Sequence, residues 1–313
     1  MGSAFLISYC RITFCGTTTT TTINQQPPLQ MQPYAFPPTF QLPPNILLLD
    51  PKNTVLVRKA AACLRAAFLG TTLVPGAPFL TETYFGKEFT DQPLDASVAA
   101  DAGLRRFNSW LMNFTLYRHL PFGGVLVYVE DVDDGTSEVV VTSVAVCIPP
   151  NTNNWDVYSN CQPSVCTLVV CPWNWSRVGL PPFAACCDCD CCCYASAKRL
   201  RKMDEADVEM RHRTMADNKY WYLHAIGTTP SMQRRGRASA LVDALSRLAD
   251  AENVAMYIES GSPSNYLFYK KRGFTKMETI HPYDFSTSCA LLRPPSSERE
   301  GGGAGGEGCG NSK

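Results

Sequence analysis

Tyr220-Trp-Tyr-Leu-His224-Ala-Ile-Gly-Thr228-Thr-Pro-Ser-Met-Gln233-Arg-Arg-Gly-Arg-Ala-Ser239 is the stretch on which the fold turns. Its first part is aromatic and β-branched, which reads as a strand over 221–228. Its second part is a polar, arginine-rich turn around Gly236. Beyond the turn, Leu241, Val242, Leu245 and Leu248 recur at helical spacing, so a helix is expected over 235–251. A turn that follows a strand and opens a helix presents backbone N–H groups and the positive end of the helix dipole to an anion. Gly236 lets the backbone approach such a ligand, Ala238 leaves the helix start uncrowded, and Arg234, Arg235 and Arg237 can add charge-assisted donors.

Working outward, 254–259 reads as a buried strand, 264–272 as a short helix and 285–292 as a final strand. Upstream, 55–68 and 96–118 carry helical apolar periodicity, the second with Leu104, Phe107, Trp110, Leu111 and Phe114. Residues 125–130 and 138–147 read as two strands joined at Asp133-Asp134-Gly135, a strong hairpin signal. Residues 197–214 form a charged helix whose charges are expected to face solvent. The order implies an α/β or α+β fold around a mixed sheet.

The segment after the turn, Glu259-Ser-Gly-Ser-Pro-Ser-Asn265-Tyr-Leu-Phe-Tyr269-Lys-Lys-Arg-Gly-Phe274, together with 221–230 before it, resembles the GNAT superfamily of N-acetyltransferases. The nearest likeness is to the puromycin N-acetyltransferase-type branch and its fungal small-molecule relatives. The resemblance covers 220–285, while 54–148 are consistent with the family's first helices and hairpin but carry no motif. It implies a mixed sheet with a splayed strand pair, acetyl-coenzyme A as cosubstrate, no metal, and direct transfer to a primary amine of a small molecule. A protein or peptide amine, or a non-catalytic acyl-coenzyme A binder, are the alternatives.

The resemblance assigns the backbone of Ala225, Ile226, Gly227 and Thr228 to the pantetheine arm. Gln233, Arg234, Arg235, Gly236, Arg237, Ala238 and Ser239 are assigned to the pyrophosphate, and Asn265 to a further contact. Tyr269 matches the general acid that protonates the departing thiolate. The amine must attack as a neutral nucleophile, so a base is needed. His224 is one candidate; by strand alternation it shares a face with Tyr222 and Ile226. Counted back from the turn, it matches one of two histidines of arylalkylamine N-acetyltransferases, with Tyr222 in the other's place. Glu259, at the end of the following strand, is the second candidate.

Composition narrows the rest. The 313 residues carry 28 basic and 28 acidic side chains, which gives no general attraction to nucleic acid or to an anionic membrane. No apolar run approaches the roughly 20 residues of a membrane span. A secretory signal and N-myristoylation are not expected. Residues 1–45 and 294–313 are Thr/Pro/Gln- and Gly-rich and are expected to stay disordered around a catalytic domain over 46–293. Oligomeric state is not legible.

Fifteen cysteines, six of them within Cys186–Cys193, make an odd count that argues against a disulfide framework and for a reducing, cytoplasmic setting. That cluster sits in an irregular insert over about 151–197. It reads as a soft-metal tract, a passive insert or a gene-model artefact, and no zinc-finger spacing is present.

Overall fold

In this computed structural model, residues 34–69, 102–131, 139–150, 192–216, 218–261, 263–283 and 286–301 are described. The elements are β1 (Ile46–Leu48), α1 (Thr54–Leu69), α2 (Ala102–His119), β2 (Val125–Asp131), β3 (Val139–Ile148) and α3 (Cys192–Met215). They continue with β4 (Tyr220–Thr228), α4 (Arg237–Glu252), β5 (Ala255–Ser260), α5 (Pro263–Lys270), β6 (Thr275–Tyr283), β7 (Ser286–Arg293) and α6 (Ser296–Gly301). The turn between β2 and β3, the start expected for the second helix and most of the cysteine cluster lie outside the described residues.

One mixed sheet of seven strands has the order β1-β2-β3-β4-β5-β7-β6. Among the described strands only β4 and β5 run parallel. They are joined by α4, the crossover a parallel pair requires. Strand alternation sorts the core. Val125, Val127, Val144 and Val146 face α1 and α2, while Leu126, Ala145, Trp221, Leu223 and Met256 face α4 on the other side. Helix α3 lies on the α1 side, where Met210 and Met215 pack on Tyr220, Tyr222 and Tyr257.

The mixed α/β fold is as expected, with differences at its edges. β6 was not expected, because its sequence pattern is mostly polar; it pairs with β7 at the sheet margin, where its outer residues stay exposed. The expectation of disorder to residue 45 does not hold for 34–45. Tyr34 is buried edge-on against Trp221, its hydroxyl and the Trp221 indole N–H both donate to Glu252, and its backbone N–H donates to Phe122 at 3.0 Å. Nor is the C-terminal segment structureless from 294. Arg293 grips Asp250 with two hydrogen bonds of 2.8 and 2.6 Å, and Arg299 of α6 pairs with the same carboxylate.

Candidate active site

Backbone pairing makes the site. β4 and β5 are paired only over Tyr220↔Ala255, Trp221↔Met256 and Tyr222↔Tyr257. Beyond Tyr222 the two strands part. On its other edge β4 stays with β3, but the register slips there: Cys147 faces Leu223 and Val146 faces Ala225. His224 is therefore the extra residue of a β-bulge, which increases twist and re-aims side chains.

The bulge corrects one expectation. His224 stays beside Tyr222, Nδ1 to hydroxyl 3.3 Å. Ile226 does not share that face. It packs into the α4 cluster, while Ala225 turns to the α1 side. Simple alternation fails across a bulge because one residue is left out of the pairing.

The cleft opened by the parted strands holds a cavity of about 260 Å³. Ala225, Ile226, His224, Glu259, Asn265 and Tyr269, named in four different roles by sequence, all line it. Tyr269 is buried between Phe268 and Phe274, at centroid distances of 5.0 and 5.6 Å. Burial, with the Cys147 sulfur nearby, pushes its phenol well above the usual range, so it keeps its proton. Gly227 is buried one step further along β4, where its carbonyl accepts the Ser143 hydroxyl at 2.9 Å. A Cβ there would lie 2.8 Å from Ala67 Cβ of α1, so glycine lets the helix close on the strand.

Behind the cleft sits a buried ion network. The Arg211 guanidinium, 1% exposed, donates from Nε to Glu259 at 2.9 Å and from Nη2 to the Tyr222 hydroxyl at 3.1 Å, and lies 4.0 Å over the Tyr222 ring. The Tyr222 hydroxyl in turn donates to the other Glu259 oxygen. Its single proton is thus committed to Glu259, so in the contact with His224 the imidazole Nδ1–H is the donor. That tautomer leaves the lone pair on Nε2. Burial, and then the charges of His119, Arg211 and Arg118, hold the His224 pKa well below the ordinary value, so the ring is neutral.

A second histidine comes from a different element. His119, at the end of α2, stacks on His224 at 4.7 Å. Its Nδ1–H donates to the Thr115 carbonyl at 2.6 Å, and burial pulls its pKa down to about 3.

The glycine turn follows β4 and opens α4. A single 3-10 turn, Pro230–Met232, leads into Arg234 (φ 60°) and Gly236 (φ 80°), both left-handed. Gly236 is the N-cap of α4 and offers no side chain to the first amides of the helix, which have no intrahelical partner. Arg234 and Arg235 are exposed, as are Gly236 and, in part, Gln233, Ala238 and Ser239. Arg237 differs: its guanidinium pairs with Glu130 of β2 and lies over the Tyr128 ring at 5.6 Å.

Sequence reasoning missed the α3 contribution. Its charges were expected to face solvent, yet Arg211 is buried and Asp204 and Asp207 line the cavity. The signal was present: these three positions share a helical face with Met203 and Met210. Among the described residues no cluster of potential metal ligands is found.

The acetyltransferase (GNAT) family model matches residues 182–274, which span α3, β4, the turn, α4, β5 and α5. Over these residues the chain matches the GNAT acetyltransferase family. Acetyl-coenzyme A is the cosubstrate of that family. The residues present fit it: a β4 edge left unpaired past Tyr222, and open amides at the Gly236 turn. Similar solved structures include histone acetyltransferase HPA2 and related acetyltransferase from Corynebacterium glutamicum, at 17% identity and a TM-score of 0.43, covering 80% of this chain and 96% of that one. Drosophila melanogaster polyamine N-acetyltransferase is similar at 12% identity and a TM-score of 0.42, over 79% and 97%. Arylalkylamine N-acetyltransferase 2 from Aedes aegypti is similar at 12% identity and a TM-score of 0.45, over 80% and 97%. At such scores the likeness decides nothing about the site.

Proposed function

We propose that the chain transfers the acetyl group of acetyl-coenzyme A to the primary amine of a small molecule, by direct attack within a ternary complex. The observation that carries this reading is the parting of β4 from β5 at the His224 bulge, with Tyr269 on one wall and the glycine-capped arginine turn at the strand's end.

The backbone of Ala225, Ile226, Gly227 and Thr228 pairs with the pantetheine arm along the edge that β5 vacates. The amides and side chains from Gln233 to Ser239 hold the pyrophosphate, with Arg234 and Arg235 as the exposed charges and Arg237 steadying the turn through Glu130. Asn265 contacts the arm from α5. An amide of the bulged strand stabilises the oxyanion. Tyr269, held protonated by burial, gives its proton to the departing thiolate.

The base is assigned to the His224 and Glu259 pair rather than to either residue alone. The lone pair on His224 Nε2 takes the proton of the amine. The Nδ1 proton moves to the Tyr222 oxygen as the Tyr222 proton moves to Glu259, so the imidazole ends neutral and the carboxylate protonated. Direct contacts link His224 to Tyr222 and Tyr222 to Glu259 along this path.

A cavity of about 260 Å³ falls just below the roughly 300–1,000 Å³ of pockets for drug-sized ligands, which favours a small acceptor over a peptide. The puromycin N-acetyltransferase-type branch remains our reading of the finer kinship, from 221–230 and 259–274. A cytoplasmic setting rests on the cysteine usage of the chain.

Calorimetric titration of coenzyme A and acetyl-coenzyme A into the full chain tests the cofactor half of this reading. Micromolar binding that is lost on replacing Arg234 and Arg235 by alanine is expected. A folded protein that binds neither would overturn the assignment.

A further inference from the structure

The acceptor side of the cavity carries more negative charge than the transfer reaction uses. Three carboxylates line it, Asp204, Asp207 and Glu259, against two guanidiniums, Arg118 and Arg211. Arg211 is committed to Glu259 at 2.9 Å. Arg118 acts electrostatically on Asp204. Asp207 is then the carboxyl group left without a guanidinium of its own, one helical turn from Asp204 and on the same face of α3.

Asp207 also has an unmet hydrogen-bonding requirement. Ser288 hydrogen-bonds to its carboxyl group, but Oδ1 is closed to solvent and has no hydrogen-bond partner among the described residues. A second acceptor in the same cavity shares that condition. His119 is 1% exposed, its Nδ1–H is spent on Thr115, and its Nε2 has no partner among the described residues. Buried polar atoms are satisfied in most native structures, and exceptions of this kind point to a ligand. Two orphan acceptors ask for a ligand that brings donors, and the surplus carboxylate asks for one that brings positive charge.

The amine that reacts cannot supply that charge, because it must be neutral when it attacks. A second cationic group on the acceptor can. We propose that the acceptor is a small dication: a primary amine that also bears an ammonium or guanidinium group, the latter held by Asp204 and Asp207. This rests on the acetyl-transfer reading for the reacting amine, but the cation subsite stands on its own geometry. Burial, with the Glu259 carboxylate nearby, raises the pKa of Asp204 to about 6 and that of Asp207 well above the carboxylate range, and a cation bound beside them would draw both back toward the charged form. Trp110 and Phe114, stacked at 5.4 Å on the opposite wall, suit the apolar spacer between the two nitrogens.

The test titrates 1,4-diaminobutane and n-butylamine, matched in chain length, into the full chain holding coenzyme A. The diamine is expected to bind at least ~10-fold more tightly. The isosteric Asp207→Asn variant is expected to abolish that preference while keeping its affinity for coenzyme A, which reports that it is folded; Asp204→Asn should weaken it. Equal binding of the two amines, no binding of either, or a preference that survives Asp207→Asn would overturn the proposal. Acetylation is followed separately. A diamine that binds through Asp207 but is never acetylated would sink the transfer reading and leave the cation subsite standing. Acetylation of both amines with equal KM would do the reverse.

Discussion

At the residue scale the site depends on how few groups are left to choose their own protonation state. Tyr269 sits among Phe268 and Phe274 with its proton secured by burial. Its replacement by phenylalanine keeps the packing and removes only the hydroxyl proposed as the acid. The expected result is a fall in kcat of about 10²- to 10³-fold with coenzyme A affinity unchanged. Loss of affinity in parallel with kcat would show a packing role instead. Glu259 makes a different case. It is the counter-charge to a guanidinium that is 1% exposed, so Glu259→Gln strands a buried charge. That should cost about 3–5 kcal/mol in a urea unfolding curve. Tyr222→Phe, which removes one neutral hydroxyl from the same network, should cost only about 1–2 kcal/mol. Equal costs would mean that the Arg211–Glu259 pair is not the centre of that network.

At the element scale, the decisive feature is a strand that serves two partners in different registers. β4 is bound to β3 along its length, bulged at His224, and bound to β5 only as far as Tyr222. The open edge beyond is kept in place by α1, which closes on Gly227 so tightly that a Cβ would meet Ala67 at 2.8 Å. Gly227→Ala must push α1 outward or distort β4, at an expected cost of about 1–3 kcal/mol in the denaturation midpoint. Because Ala67 and Phe68 border the acceptor wall, KM for the amine should rise as well. A variant as stable as the wild type would mean that the α1 contact is slack. Much of this was legible beforehand. The strand, the glycine turn and the helix were evident from Tyr220 to Ser239, and Tyr269 from its context before Gly273-Phe274. The bulge was not, because no residue in 222–226 marks which of them drops out of the pairing. Ile226 was therefore assigned to the wrong face.

At the scale of the whole molecule, the buried ionisable groups set how stability follows pH. His119 and His224 are held neutral in the fold, with folded pKa values below the ordinary 6.5, about 3 for His119. Below pH 6.5 the unfolded chain therefore binds protons that the native imidazoles refuse, and their contribution to stability is lost as pH falls from 6.5 toward 3. Asp204 works in the opposite sense. Its folded pKa is raised from 3.8 to about 6, so its contribution is present below 3.8 and is lost as pH rises through 6. Between those two values the effects oppose each other. Thermal unfolding followed across this range should show the acid loss reduced by His119→Gln and the loss near pH 6 reduced by Asp204→Asn. If both variants trace the wild-type profile, these groups are not buried in the manner described.

Sequence by itself determined the mixed α/β class and singled out the glycine turn and Tyr269 as candidates, because each rests on local chemistry. A periodicity of two or of 3.6, a glycine that must adopt positive φ, and a tyrosine ahead of a glycine turn are readable within a dozen residues. Only the tertiary structure decided what surrounds them. The charges of 197–214 look like a solvated face in isolation, and become an interior wall because α3 docks over Tyr220, Tyr222 and Tyr257. His119 carries no signal at the end of α2, and gains a partner only because that end meets the bulge of β4, over a hundred residues away in the chain. Burial and pairing are properties of two segments at once, and neither segment's sequence records where the other will lie.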